Sequence, residues 1–308
     1  MDNPSESQLE QLLAQVLANP KYSSILPDLI KGIGSHELQK RGSFKEAVKE
    51  TKTKLHQATG VYVDREINYD DWLTLLRNIP PDDPAEIKNA CKQIMLQHIS
   101  TRERIPGLDE FYQIIFNMVP AFSSILDIAC GMNPLTIPWM GLSSQHFYRG
   151  WEVNIQMVKF LAEAVRKFDT PCSIEAVDIF SVNEIPQADL VFLFKTLPCL
   201  EQVQKGITPI LFNRIQAKNM IITFPASSLS GKNKGMVHHY TEMMQRWLAN
   251  SPWQAQSLLL LNELVYILEP RYDYTHYRPR TIGAPNPRDA KISEPRIMRG
   301  HDSRCRFI

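Results

Sequence analysis

Residues 124–139, SILDIACGMNPLTIPW, leave this chain few folds to choose from. Ser124, Ile125, Leu126 and Asp127 read as a buried strand that runs directly into a small-residue turn, Ala129, Cys130 and Gly131, and then an Asn-Pro. A strand that stops at an acid and a glycine leaves backbone N–H groups and a carboxylate at the carboxyl edge of a sheet, where open α/β sheets bind ligands. About 25 residues further on, Tyr148 to Val153 reads as a second strand with Glu152 near its end, where a carboxylate can accept from both hydroxyls of a ribose. The pair points to a nucleoside-containing cofactor.

From Ser123 onwards the pattern alternates. Strands are expected at 124–127, 147–152, 172–177, 188–194, 218–224, 256–261 and 263–269, and helices at 154–168, 200–216 and 237–249. Parallel strands with crossover helices and a terminal antiparallel hairpin predict an α/β fold of the class I, Rossmann-like methyltransferase type rather than a dehydrogenase. The turn after the first strand carries one glycine and a proline, not G-x-G-x-x-G, so it cannot cradle a pyrophosphate. Adenosylmethionine has no phosphate to cradle.

Residues 8–105 read as wholly helical, because apolar residues recur at spacings of three and four. Leu9, Leu12, Leu13, Val16 and Leu17 form one stripe. Tyr22, Ile25, Leu26, Leu29, Ile30 and Ile33 form a second, expected to end near Gly32 and Gly34. Ser43 can cap a third helix, with Glu46 completing a capping box. On that helix Phe44, Val48, Thr51 and Leu55 share one face, while Lys45, Lys49, Lys52 and His56 lie on a strip about 100° away. A solvated face is the ordinary explanation of a lysine stripe. Lysines in one row, in a segment otherwise more acidic than basic, also suit contact with RNA phosphates. Arg102 and Arg104 fall in the connector to the sheet, where arginines tie parts together or hold a ligand carboxylate.

The boundaries expected are a helical extension over 1–105, a sheet domain over 106–270 and a tail over 271–308. The tail, rich in Pro and Arg and without periodicity, reads as disordered and basic. Net charge is only +1, so bulk electrostatics names no partner. Five scattered cysteines give neither a disulfide framework nor a zinc site, and no metal is expected. The N-terminus lacks a signal peptide pattern, and no apolar run is long enough to span a membrane. A cytoplasmic monomer is the expectation.

Seven segments in register together resemble one family. They are KYSSILPDLI (21–30), KEAVKETKTKLHQATGVYV (45–63), HISTRERIPGLDEFYQIIF (98–116), LDIACGMNPL (126–135), FKTLPCLEQ (194–202), FPASSLSGKNKGM (224–236) and ELVYIL (263–268). The chain is similar to the aminoglycoside-resistance 16S ribosomal RNA (guanine-N7) methyltransferases, the Arm/Rmt and actinomycete producer group. The resemblance implies S-adenosyl-L-methionine as cofactor and 16S rRNA within the 30S subunit as substrate. It implies methylation of guanine N7 in the decoding A site, which blocks gentamicin- and kanamycin-type drugs. It places the methionine end at Asp127, Ala129 and Gly131, with Arg104 for the carboxylate. Glu152 stands where the family usually has Asp for the ribose. Asp178 falls where the adenine edge is read, and Lys195 at the pocket mouth. RNA contacts are expected from Arg41, Lys45, Lys49, Lys52, Lys54, Lys232 and Lys234, with the loop 227–234 closing over the base.

Guanine N7 carries a lone pair and no proton, so transfer from a sulfonium needs orientation but no general base. No catalytic acid or base is therefore assigned, and Lys195, Ser228 and Lys232 are positioning candidates. The base sits stacked in rRNA and is expected to be extruded. Three alternatives stay open: adenine N1 as target, a noncatalytic RNA-binding protein of the same fold, and, more remotely, a nicotinamide oxidoreductase.

Overall fold

The structure is a computed structural model and describes residues 4–60, 68–80, 82–226, 235–271 and 305–307. It opens with three helices, α1 (Glu6–Leu17), α2 (Pro27–Lys40) and α3 (Phe44–Leu55). Their apolar stripes meet in a core of their own, with Leu12, Val16, Ile30, Ala47 and Leu55 at its centre. Helix α2 runs straight through Gly32 and Gly34 instead of ending there. At Gly34 a Cβ would lie 2.5 Å from the Leu12 side chain, so the glycine lets two helices approach. Ser43 caps α3 by accepting from the Glu46 N–H. The Glu46 carboxylate pairs with Arg41 rather than closing the expected box.

Helices α4 (Tyr69–Arg77) and α5 (Pro84–Met95) follow, then a short α6 (Ile99–Arg102) and α7 (Leu108–Phe116). Leu76, Ile87, Ile94 and Met95 belong to the core on one face of the sheet, not to the core of α1–α3. The helical stretch read as one unit therefore buries its apolar faces in two places. Leu108, Phe111, Tyr112 and Ile115 of α7 are all buried.

The sheet comprises β1 (Ser124–Ile128), β2 (Phe147–Glu152), β3 (Cys172–Ala176), β4 (Ala188–Phe194), β5 (Ala217–Pro225), β6 (Trp253–Leu260), β7 (Glu263–Pro270) and β8 (Cys305–Phe307). Their order is β3-β2-β1-β4-β5-β7-β6-β8. The first five run parallel and β7 runs antiparallel to both neighbours. Strand β8 pairs with the outer edge of β6, at residues where the sequence predicted no regular structure. Side chains alternate between faces, as strand geometry requires. Ile125, Leu190 and Phe192 enter the core shared with α4, α5, α7 and α8 (Ile155–Ala164), whereas Leu126, Ile128, Val191 and Leu193 enter the other. The second core is covered by α9 (Leu197–Val203), α10 (Ile207–Arg214) and α11 (Met236–Leu248). The single helix expected over 200–216 is broken at Gly206, which takes φ 84°. Glu201 then caps the new start, accepting from the N–H groups of Gly206 and Thr208. Among the described residues, no helix is long and apolar enough to cross a membrane.

Candidate active site

A cavity opens at the carboxyl ends of β1, β2 and β4, at the point where the strand order reverses. The turn after β1 builds its floor. Ala129 and Gly131 take φ 55° and 51°, a left-handed path that glycine follows freely and alanine only under constraint. The path is fixed by the Cys130 N–H donating to Trp151 O at 2.8 Å and by the Gly131 N–H donating to Glu152 at 3.1 Å. Glu152, at the end of β2, also accepts from Val153 and Asn154 N–H at 2.8 and 3.1 Å. Burial raises its carboxyl pKa, and the three amides oppose that rise. A carboxylate has about four acceptor sites, so three amides leave capacity for a ligand hydroxyl.

Asp127 lies directly behind this turn and is fully buried. Its Oδ2 accepts from Asn133 at 2.7 Å and from the Tyr148 hydroxyl. Its Oδ1 has no hydrogen-bond partner. Burial pushes the carboxyl up to about 7. Asn133 is held in turn by Arg104 and Tyr112, which donate to its Oδ1 at 2.9 and 2.8 Å.

Arg104 lines the cavity, but its bidentate edge is committed elsewhere. Nε and Nη2 donate to the two carboxylate oxygens of Glu263 at 3.1 and 2.9 Å, and the guanidinium lies between the rings of Phe111 and Phe194. The fork expected to face a ligand carboxylate therefore faces Glu263, the counterion that a buried guanidinium requires. Lys195, at the end of β4 with φ 57°, turns its ammonium to Glu103 at 2.6 Å and Glu263 at 3.3 Å. It lines the cavity. Asp178 is buried after β3 and accepts from the Phe180 N–H at 3.0 Å, but it does not line the cavity.

The basic residues expected at RNA divide into two groups. Lys45 and Lys49 are exposed on α3, Lys52 is half-buried, and none makes an ion pair among the described residues. Arg41 and Lys54 instead converge on Glu37, a fully buried carboxylate of α2, at 3.0 Å each. Burial raises the Glu37 pKa, and the hydrogen bonds from Arg41 and Lys54 outweigh it, holding the carboxyl at about 2. Ser228, Lys232 and Lys234 lie outside the described residues. His238 lies 3.2 Å from the Glu242 carboxylate one turn on.

Sequence reasoning missed Glu263, Glu103, Asn133 and the two tyrosines. It also missed Ala58 and Thr59, which a π-helical turn at 56–60 places in the cavity wall. The one available signal was an acid opening the apolar run ELVYIL, opposite arginines that had no assigned counterion.

Seven strands in the order 3-2-1-4-5-7-6 with the seventh reversed, and a glycine turn facing an acid on the next strand, define a class I methyltransferase fold. Residues 18–267 match the profile of the ribosomal RNA methyltransferase family FmrO, and the chain belongs to that family. The 16S rRNA (guanine(1405)-N(7))-methyltransferase of Micromonospora rosea is 31% identical over 269 residues, covering 85% of this chain and 97% of the relative. Its namesake from Frankia casuarinae is 32% identical over 271 residues, covering 85% and 94%. Among solved structures, the 16S rRNA methyltransferase RmtF in complex with S-adenosyl-L-homocysteine superposes with a TM-score of 0.72 at 26% identity, covering 87% of this chain and all of that one.

Proposed function

We propose that this enzyme methylates N7 of a guanine in the decoding A site of 16S rRNA, the base numbered 1405 in its relatives' names, and so confers aminoglycoside resistance. The observation that carries the reading is the cavity at the strand-order reversal, walled by the Gly131 turn and Glu152, in a chain of this family. S-adenosyl-L-methionine fits the residues present. The cavity offers the Glu152 carboxylate and backbone groups to a cationic, phosphate-free nucleoside, and Asp127, buried behind the turn without lining the cavity, keeps Oδ1 without a donor. When bound, the cofactor supplies an electrophilic methyl on sulfonium.

This chain's residues then bind and orient. Glu152 accepts from the ribose, the backbone of Ala129 and Gly131 lies along the methionine end, and Asp127 holds the turn from behind. Arg104 and Lys195 set the cationic side of the cavity through Glu263. Lys45, Lys49 and Lys52 meet rRNA phosphates of the 30S subunit. Lys195 stays a positioning residue, because a neutral N7 lone pair asks for alignment rather than proton transfer.

Methyl transfer from labelled adenosylmethionine to unmodified 30S subunits and to free 16S rRNA tests the reading, with the modified base located by borohydride and aniline cleavage. Label on 30S with cleavage in the A-site helix is the expected result. Cofactor binding without transfer to either substrate would overturn the target, and label at adenine without cleavage would move it to adenine N1.

A further inference from the structure

The loop that carries Glu152 is held from both sides. On the inside, Val153 and Asn154 give their N–H groups to the Glu152 carboxylate. On the outside, Val153 O accepts from the Leu26 N–H at 2.9 Å, and the Ile155 N–H donates to Ser24 O at 2.7 Å. Ile25 and Asn154 thus form an antiparallel bridge between the segment before α2 and the loop leading into α8. Val153 is used twice: its N–H fixes the cofactor-side carboxylate while its carbonyl is tied to the helical extension. A shift of residues 24–26 therefore moves the residue that orients Glu152.

Two more contacts tie the same helices to the sheet domain, one of them at the cavity itself. Helix α3, which carries Lys45 and Lys49 on its exposed face, continues into the 56–60 turn, and Ala58 and Thr59 of that turn wall the cavity. Lys54 of α3 also donates to Val203 O at the end of α9, at 3.0 Å. Val153, Phe180 and Val203 complete the packing around the α1–α3 core. The unit with the candidate RNA face is thereby continuous with the cofactor loop through backbone hydrogen bonds and shared apolar contacts.

We propose that Ser24–Leu26 is a positioning strap for the cofactor loop, and that RNA docking on α3 and adenosylmethionine binding are coupled through it. This rests on the assignment of the cavity to the cofactor. Coupling of this kind is reciprocal, so saturating cofactor product must tighten RNA binding by the same factor by which RNA tightens the product.

The wild-type protein tests the coupling without a variant. Its affinity for 30S subunits is measured with and without saturating S-adenosyl-L-homocysteine, which cannot turn over. A gain of about fivefold or more is expected, the lower end of ordinary allosteric coupling, and an unchanged affinity overturns the proposal. Leu26→Pro then tests the strap. Leu26 has φ −50° and ψ 125°, inside the range of proline, so the substitution removes the N–H with little change of path. Leu26→Ala keeps the N–H and controls for lost packing. Calorimetry with S-adenosyl-L-homocysteine should show Leu26→Pro weaker by about fivefold or more and Leu26→Ala within about twofold. Equal affinity in wild type and Leu26→Pro overturns the strap alone. A wild type that binds no S-adenosyl-L-homocysteine overturns the cavity assignment, and the strap with it.

Discussion

Asp127 and Glu263 are both fully buried carboxylates, and their surroundings send their acidities in opposite directions. Burial raises Glu263, but the charges of Arg104 and Lys195 outweigh it and hold the carboxyl at about 2 against an ordinary 4.5. Its contribution to stability is complete above pH 4.5 and is lost as pH falls towards 2. Glu263→Gln leaves a buried guanidinium with a neutral partner, and is expected to cost about 3 kcal/mol or more in thermal unfolding at neutral pH. The variant should also lack the pH dependence of unfolding between 4.5 and 2 that this group supplies. Asp127 runs the other way: burial lifts it from 3.8 to about 7, so it favours the fold when protonated and that benefit disappears as pH rises through 7. Asp127→Asn keeps an oxygen for Asn133 and Tyr148. It should be at least as stable as wild type at pH 8, and S-adenosyl-L-homocysteine binding about tenfold weaker would assign the unpartnered Oδ1 to the ligand's ammonium. A destabilised Asp127→Asn with unchanged affinity would show that the acid serves the fold only.

At the scale of elements, α3 carries both the exposed lysines proposed to meet RNA and a structural seam. Lys45→Glu with Lys49→Glu should leave the melting temperature unchanged, weaken 30S binding and lower the salt slope by roughly one unit or more. Arg41→Ala should instead lower the melting temperature, because it strips a partner from the buried Glu37. Equal effects of the two changes on stability would deny the division. The sequence could make it only in part: Lys54 falls on the opposite flank of α3 from Lys45, but nothing local shows that it and Arg41 turn to the buried Glu37. The central strands β1, β4 and β5 were legible because segments buried on both faces read as apolar runs. The break at Gly206 was not, since its flanks share helical periodicity and the signal is a single left-handed residue capped by Glu201. In the site, Gly131 and Glu152 were readable from the turn and strand ends. The partner of Arg104 was not, because pairing across 159 residues leaves no local trace.

As a whole, the molecule is a sheet with two cores and a third core strapped to its ligand edge. Val153, Phe180 and Val203 would become exposed apolar surface without α1–α3. A chain starting at residue 68 is therefore expected to give little soluble protein and no S-adenosyl-L-homocysteine binding by calorimetry. A soluble, ligand-competent truncation would confine the extension to RNA docking. The ion pair between Arg104 and Glu263 also sets a timetable. The two residues are 159 positions apart, so at about 5–20 residues per second the guanidinium waits roughly 8–30 s during synthesis before its counterion is made. The charged wall that Arg104, Lys195 and Glu263 share is therefore built last, from a strand that reaches the sheet only after the five parallel ones have been made.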